Sequence, residues 1–405
     1  MKKIVKPFRR PRVALLVESS RAYGRGILLG VATFVRQHGP WSIFFQDLNL
    51  CDDTPEWLKH WQGEGVLSRL ENRDVVDVIH RLKVPAVYLR HVNPRMKMPS
   101  ILTDNVAVSR RCFEHLSERG FRHFAFCGFN GADYSDERRD AFAERVRQAG
   151  LICHIYTERR QIVRTNTADY EGLGLNDGGK VAEWIKRLPK PVGVMTCNDM
   201  RGQHVLDACR AAGVASPEEV AVIGADNDDV ICNLCDPPLS SVVPDTERIG
   251  YEAASMLAQM MAGGQSPPAR TFVEPRGIVT RRSTEVLAIE DRQIAAAARF
   301  IREHACEGID VSDVLAAVPM SRSTMDRRFI TILGRSPKDE ILRVRLDRVR
   351  QLLAETDFPL KLIAEKVGLD HAEHLSRVFK SRIGTTPSEF RAHILFREKP
   401  ARLPN

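Results

Sequence analysis

Long apolar runs, paired cysteine clusters and the glycine signatures of nucleotide chemistry are all missing from this chain of 405 residues. No segment approaches the roughly eighteen consecutive apolar residues of a membrane-spanning helix, so no membrane partner is expected. The basic start, Met1-Lys-Lys-Ile-Val-Lys-Pro-Phe-Arg-Arg10, lacks the apolar core of a secretory leader, and the expected location is the cytoplasm. There is no Gly-x-x-x-x-Gly-Lys-Ser/Thr loop, no Gly-x-Ser-x-Gly elbow and no His-Glu-x-x-His pair. Gly24-Arg-Gly26 falls short of a dinucleotide fingerprint. Enzyme chemistry of those classes is therefore not expected, nor is a cofactor or a bound metal. The nine cysteines are odd in number and scattered, which favours free thiols over a disulfide framework. Cys232 and Cys235 form a lone C-x-x-C without the second pair a zinc site needs.

What is present is a modest excess of positive charge, unevenly placed. The chain carries a formal +8. From Asp291 onward there are 21 Lys/Arg against 16 Asp/Glu, so the last quarter holds most of the surplus. A basic terminal region suggests an acidic partner, nucleic acid first.

The texture changes along the chain. From about residue 11 to 285, short apolar runs such as Val13–Val17, Trp41–Phe45, Ala86–Leu89, Phe124–Cys127, Val192–Met195 and Val220–Ile223 alternate with amphipathic stretches. Arg25–Gln37, Val106–Arg119, Arg138–Ala149 and Met200–Ala212 are the clearest of these. Strands alternating with helices imply parallel α/β sheets, and about eleven strands are too many for one small sheet, so two lobes are expected. After Arg281-Arg-Ser-Thr284 the chain reads almost entirely as helices. The expected division is an α/β domain over 1–285 and a helical domain over 286–405.

The helical region carries the same pattern twice. Val314, Leu315 and Val318 make a short apolar helix ended by Pro319, and Ser321 then sits where an N-cap belongs. Met325 and Phe329 face inward on the helix that follows, leaving Arg322, Ser323, Thr324, Asp326 and Arg327 outward. Ile363, Ala364 and Val367 repeat the first helix and Gly368 supplies the turn. Leu375 and Phe379 then pin a helix exposing Ala372, Glu373, Ser376, Arg377 and Lys380. Short polar and arginine side chains on an outer helix suit groove edges. A basic helix over Lys338–Leu353 joins the copies, and its Arg343, Arg345 and Arg348 are candidates for phosphate contact, unless they pair with Glu340 and Asp347.

The runs Ile363-Ala-x-x-x-Gly-Leu369, Leu375-Ser-Arg-x-Phe-Lys380 and Gly384-Thr-Thr-Pro-Ser-Glu-Phe-Arg391 resemble the AraC-type DNA-binding domain over about 294–392. That resemblance implies two helix-turn-helix units reading successive major-groove segments of double-stranded DNA. Leu369 stands where an aromatic is usual, and Ala372 offers no hydrogen bond where family members often carry a polar group. Residues 11–285 resemble a LacI-type, periplasmic-binding-protein-like ligand domain. The landmarks are Thr103-Asp-Asn105, Asn198-Asp199, Val222-Ile-Gly-Ala-Asp-Asn227 and Pro238-Leu-Ser-Ser-Val242. The resemblance implies two lobes closing over a small sugar. Asp226 and Asn198 are then the ligand-binding candidates, with Arg138 as cationic donor and Glu18 and Ser19 at the cleft mouth; a carboxylate that accepts two hydroxyls suits a polyol. Asp199 reads more readily as a helix N-cap, and Asp104 and Asn105 could belong to the crossover between lobes.

Only about ten residues precede the first strand, too few for an N-terminal DNA-reading headpiece. Sensing in front and AraC-type reading behind resembles the xylose-operon regulator family, with Arg281-Arg-Ser-Thr284 and His304-Ala-Cys-x-Gly-Ile309 as further points of likeness. This implies a dimeric, nucleoid-associated activator of sugar catabolic genes that works with RNA polymerase. A repressor released by ligand has the same layout. A transport-type sugar-binding protein or an enzyme would lack any use for the C-terminal motifs.

Overall fold

The structure is a computed structural model and describes residues 10–49, 52–70, 73–90, 98–157, 177–264, 268–285, 291–369 and 371–398. It divides into two compact units, Met1–Ala288 and Ile289–Asn405.

The first unit is built on strands β1 Arg12–Leu16, β2 Ser42–Phe45, β3 Gly65–Ser68, β4 Ala86–Tyr88, β5 Ser100–Thr103, β6 His123–Cys127, β7 Cys153–Ile155, β8 Val192–Thr196, β9 Val220–Ala225, β10 Ser240–Val243, β11 Arg270–Val273 and β12 Gly277–Val279. They form two six-stranded sheets, ordered β11-β5-β4-β3-β1-β2 and β12-β10-β9-β8-β6-β7. Among the described residues every pairing is parallel except β10 with β12. Each sheet is the heart of one lobe.

The apolar runs have a simple cause. Parallel strands covered by helices are buried on both faces, so side chains of either parity must be apolar. In β1 and the residue after it, Val13, Leu15 and Val17 pack with Ile27, Val31 and Phe34 of helix Ala22–His38 and with Ile249 and Leu257 of helix Thr246–Met261. Ala14 and Leu16 pack on the other side with Leu58, Trp61, Val75 and Ile79. β6 repeats this in the second lobe, with Ala125 and Cys127 on one face and Phe124 and Phe126 on the other.

The chain passes between lobes after β5, after β10 and after β11. The crossing segments bond to one another: Asp104 N–H donates to Val273 O at 2.9 Å and Arg276 N–H to Val243 O at 2.8 Å. Asp104 also caps helix Asn105–Glu118, accepting from Ala107 N–H at 2.9 Å, so Asp104 and Asn105 do sit at a crossing.

The second unit is helical. Val311–Ala317 and Arg322–Leu333 form one helix-turn-helix, and Leu360–Lys366 and Ala372–Ile383 the other; Pro337–Glu355 runs between them. Gly368 turns the second motif at φ +67°, and a Cβ there would lie 2.5 Å from Gly308 N, so the backbone must pass close and left-handed, which glycine alone does without strain. Among the described residues, no helix is long and apolar enough to cross a membrane. The eight described cysteines are unbridged. Cys232 and Cys235 are buried and pack among apolar residues of the second lobe.

Candidate ligand cleft and DNA-facing helices

Ligands of open parallel sheets bind beyond the carboxyl ends of the strands, and the polar residues of the first unit gather there. Glu18 follows β1, Arg69 follows β3, Asn198 follows β8 and Asp226 follows β9. Glu18 is fully buried and ion-paired with Arg69, deeper than a residue at a cleft mouth. Ser19 is instead tied to Asp47. The Arg69 guanidinium lies over the Tyr23 ring, 4.3 Å from its centre, and the Tyr23 hydroxyl is bonded to Thr103 Oγ1 at 2.7 Å. Burial raises the Tyr23 pKa, while the charge of Arg69 works in the opposite direction.

The second lobe contributes Arg138, from helix Asp133–Gln148. Its guanidinium donates to Asn105 Oδ1 at 2.9 Å, to the Cys197 carbonyl, and to Asp226 Oδ1 at 3.4 Å. It also lies over the Tyr134 ring. Asp226 stands at φ +107° and Asn227 at φ +47°, a region that side-chain-bearing residues seldom occupy and that costs on the order of 1–3 kcal/mol. Burial raises the Asp226 pKa above the usual carboxylate range, against the pull of Arg138, Arg69 and Arg21. Charges of both lobes therefore act on one strained carboxylate.

The helix cap expected of Asp199 falls to its neighbour. The N-cap of helix Asp199–Ala212 is Asn198, whose Oδ1 accepts from Arg201 N–H at 2.9 Å; Asp199 is not the cap. The amide of Asn198 also reaches Tyr134 Oη at 3.4 Å. Asp199 turns inward, accepting from Ser241 Oγ at 2.6 Å and from Asp228 N–H at 2.8 Å. Burial and then the charge of Asp226 push its pKa up to about 8.

Tyr23, Arg69 and Tyr134 were not singled out in the sequence, and Thr103 stood there only as a landmark rather than a site residue. Their one available signal was position, because Arg69 and Thr103 close β3 and β5 as Glu18 closes β1.

In the second unit, Ser321 caps helix Arg322–Leu333 by accepting from Thr324 N–H at 3.2 Å. Met325 and Phe329 are fully buried, as are Leu375 and Phe379. Arg322, Ser323 and Arg327 are exposed on the first outer helix, with Thr324 and Asp326 half-buried. On the second, Glu373, Arg377 and Lys380 are exposed, while Ala372 and Ser376 are half-buried. Leu369, in place of an aromatic, is buried in the adjoining core.

The linking helix uses Arg343 and Arg345 internally, while Arg348 is exposed. Arg343 donates to Glu340 at 2.8 Å and to Asp347 at 2.7 Å. Arg345 donates to the carbonyls of Ala305 and Ile309 at 2.7 and 2.8 Å. Glu340 is nearly inaccessible; burial works to raise its pKa, but Arg343 and Arg335 hold it below the usual range. Arg343 and Arg345 are therefore structural fasteners rather than phosphate contacts.

Comparison with known proteins agrees with this division. Residues 12–106 match the XylR N-terminal domain, 113–284 a periplasmic binding protein-like domain, and 314–393 a helix-turn-helix domain. The chain is 30% identical to the xylose operon regulatory protein of Escherichia coli K12 over 394 residues, covering 95% of this chain and 97% of that one. It is 29% identical to the protein of the same description from Haemophilus influenzae, covering 94% and 98%. A solved structure described as the xylose-binding transcription activator xylR superposes with a TM-score of 0.79 at 29% identity, covering 95% of this chain and 99% of that one.

Proposed function

The chain belongs to the family of xylose operon regulatory proteins, and on that footing we propose that it is a sugar-responsive, DNA-binding transcription activator. Its sensing half, ending near Glu285, takes a small neutral sugar between its lobes. Its helical half takes double-stranded DNA on the outer faces of its two recognition helices. The observation that carries the sugar half is Asp226 at φ +107°, bonded to Arg138 of its own lobe and under the charge of Arg69 of the other. Strain of that kind persists where surrounding structure over-determines it, and it concentrates at binding sites.

In this reading Asp226 accepts two sugar hydroxyls while Arg138 fixes the carboxylate from behind. Asn198 offers its amide, and the buried Glu18 acts on the sugar through its partner Arg69. Tyr23 and Tyr134 supply ring faces for the apolar side of a pyranose. D-xylose is the first effector to try, since the solved relative is described as xylose-binding. Because groups of both lobes meet the sugar, binding favours the closed arrangement by its difference in affinity for closed and open forms, and by nothing else. On DNA, Arg322, Ser323, Thr324, Asp326 and Arg327 of one helix, with Ala372, Glu373, Ser376, Arg377 and Lys380 of the other, face successive major-groove segments. The active species is a cytoplasmic, nucleoid-associated homodimer that sets RNA polymerase to work.

Thermal denaturation against D-xylose, other pentoses, hexoses and sugar acids tests the sensing half. Saturation at a hundred times the dissociation constant adds about 2.7 kcal/mol of stability. A rise in Tm with one sugar, lost in Asp226→Ala, is the expected outcome; no rise with any member of the panel would sink the sugar assignment. Selection of duplexes from a random library tests the other half, and failure to enrich any sequence would overturn it.

A further inference from the structure

The segment that leaves the sensing half is bonded to the loop that carries Asp226. Arg281 Nη1 donates to Asn227 Oδ1 at 2.9 Å and to Leu239 O at 3.0 Å, and Nη2 donates to Asp229 Oδ1 at 2.7 Å. Behind Arg281 the exit segment is fastened to the body of the second lobe. Ser283 Oγ donates to Val222 O of β9 at 2.6 Å and accepts from Ser240 N–H at 2.8 Å. Thr284 Oγ1 is bonded to His115 Nε2 at 2.7 Å, and Arg119 Nε donates to Thr284 O at 2.8 Å. Ser283 and Thr284 are fully buried.

Four consecutive residues of the loop thus point to different regions of the unit. Asp226 faces Arg138. Asn227 and Asp229 are gripped by one guanidinium. Asp228 caps helix Asp229–Leu234 and accepts from the first lobe's Ala22 N–H at 3.3 Å. Because Asp226 and Asn227 both hold positive φ, the loop needs outside support to stay in that shape. A planar guanidinium bridging two side chains gives it, in a way that a point-charge ammonium cannot reproduce.

We propose that Arg281 is a positioning residue for the sugar site: it holds the Asp226–Asp229 loop in its binding shape from the exit segment, so that ligand occupancy and the path of that segment depend on one guanidinium. The inference rests on the sugar-site reading above. By linkage the dependence is mutual: losing the Arg281 grip on the loop weakens the sugar, and the sugar strengthens that grip. Lobe closure enters the same loop at Asp228, which is where the first lobe touches it.

The test uses the full chain with Arg281→Gln, Arg281→Lys and Ser283→Ala. Amide hydrogen exchange over Asp226–Ile231 is followed without sugar, and D-xylose binding is followed by calorimetry. Losing the charge-assisted pair should speed exchange in that loop and weaken D-xylose by about tenfold each. Arg281→Lys should restore Tm without restoring either quantity. Ser283→Ala should lower Tm and leave both alone, which separates positioning from general loosening. Unchanged loop exchange in Arg281→Gln, or D-xylose affinity equal to wild type, overturns the proposal. Faster loop exchange in a protein whose wild type takes no D-xylose would overturn the choice of D-xylose instead and uphold the hold of Arg281 on the loop.

Discussion

Arg138 and Asp226 meet at 3.4 Å, with the arginine side chain 5% exposed and the carboxylate 30% exposed. The guanidinium is spent on fixing its neighbours, so the carboxylate is the member of the pair left open to a ligand. A buried cation holding a strained, partly open carboxylate separates two contributions that mutation can measure.

Asp226→Gly removes both the carboxylate and the penalty of φ +107°. Without sugar the variant should be more stable than wild type by about 1 kcal/mol, while losing its sugar-induced rise in Tm. Asp226→Ala should lose the rise without the gain. A sugar-free glycine variant less stable than the alanine one would contradict the strain argument.

Arg69 lies 11% exposed against a Glu18 that is fully buried. Arg69→Ala leaves a buried carboxylate without its partner and should cost about 3–5 kcal/mol. Arg69→Met with Glu18→Gln should recover most of that in urea denaturation, even though sugar binding stays weak. Equal losses in the single and double variants would show that the two side chains do not act as a pair.

The Asp199 carboxyl, with its pKa pushed up to about 8, keeps a proton in the folded chain where an unfolded aspartate has lost it. Folding therefore takes up a proton between about pH 4 and 8. The stability from this group is fully present below the unfolded pKa and is lost as pH rises through the folded one. Between pH 6 and 9, wild-type Tm should fall more steeply than that of Asp199→Asn. Parallel curves would refute the shift.

Arg327→Ala and Arg377→Ala should each cost about 1–3 kcal/mol on a selected duplex and relax its sequence preference locally. Lys380→Ala should weaken all duplexes alike and flatten the salt dependence by about 0.9 for each phosphate it no longer neutralises. Arg345→Ala is the contrast: its bonds run to Ala305 and Ile309, so it should lower the melting of the helical unit with the salt slope intact. A reduced slope would return Arg345 to the DNA-facing set.

The features of this protein legible from sequence are those whose cause is local. Val13–Val17 and Phe124–Cys127 advertise themselves because both faces of their strands are buried. β7, β11 and β12 stand at sheet edges and are only three or four residues long, so periodicity passes them by. The turn at Gly368 and the cap at Ser321 were readable because backbone conformation selects those residue types. Partnerships across long separations were not. Glu18 with Arg69, Asp199 with Ser241 and Arg281 with Asn227 depend on how strands are ordered, which a pattern of single residues does not encode. The roles of Asn198 and Asp199 were confused for a related reason, since either residue type caps a helix and only geometry chooses between them.

The three crossings between lobes set an order of events during synthesis. By Thr103 the ribosome has released five strands of the first sheet, but helix Thr246–Met261, which covers Leu15, Leu67 and Val87, and strand β11 are still to come. All of β6 to β10 is made first. The second lobe, all but its edge strand β12, can therefore form while its elder neighbour still exposes a bare apolar sheet, and that interval is when a nascent chain needs a chaperone.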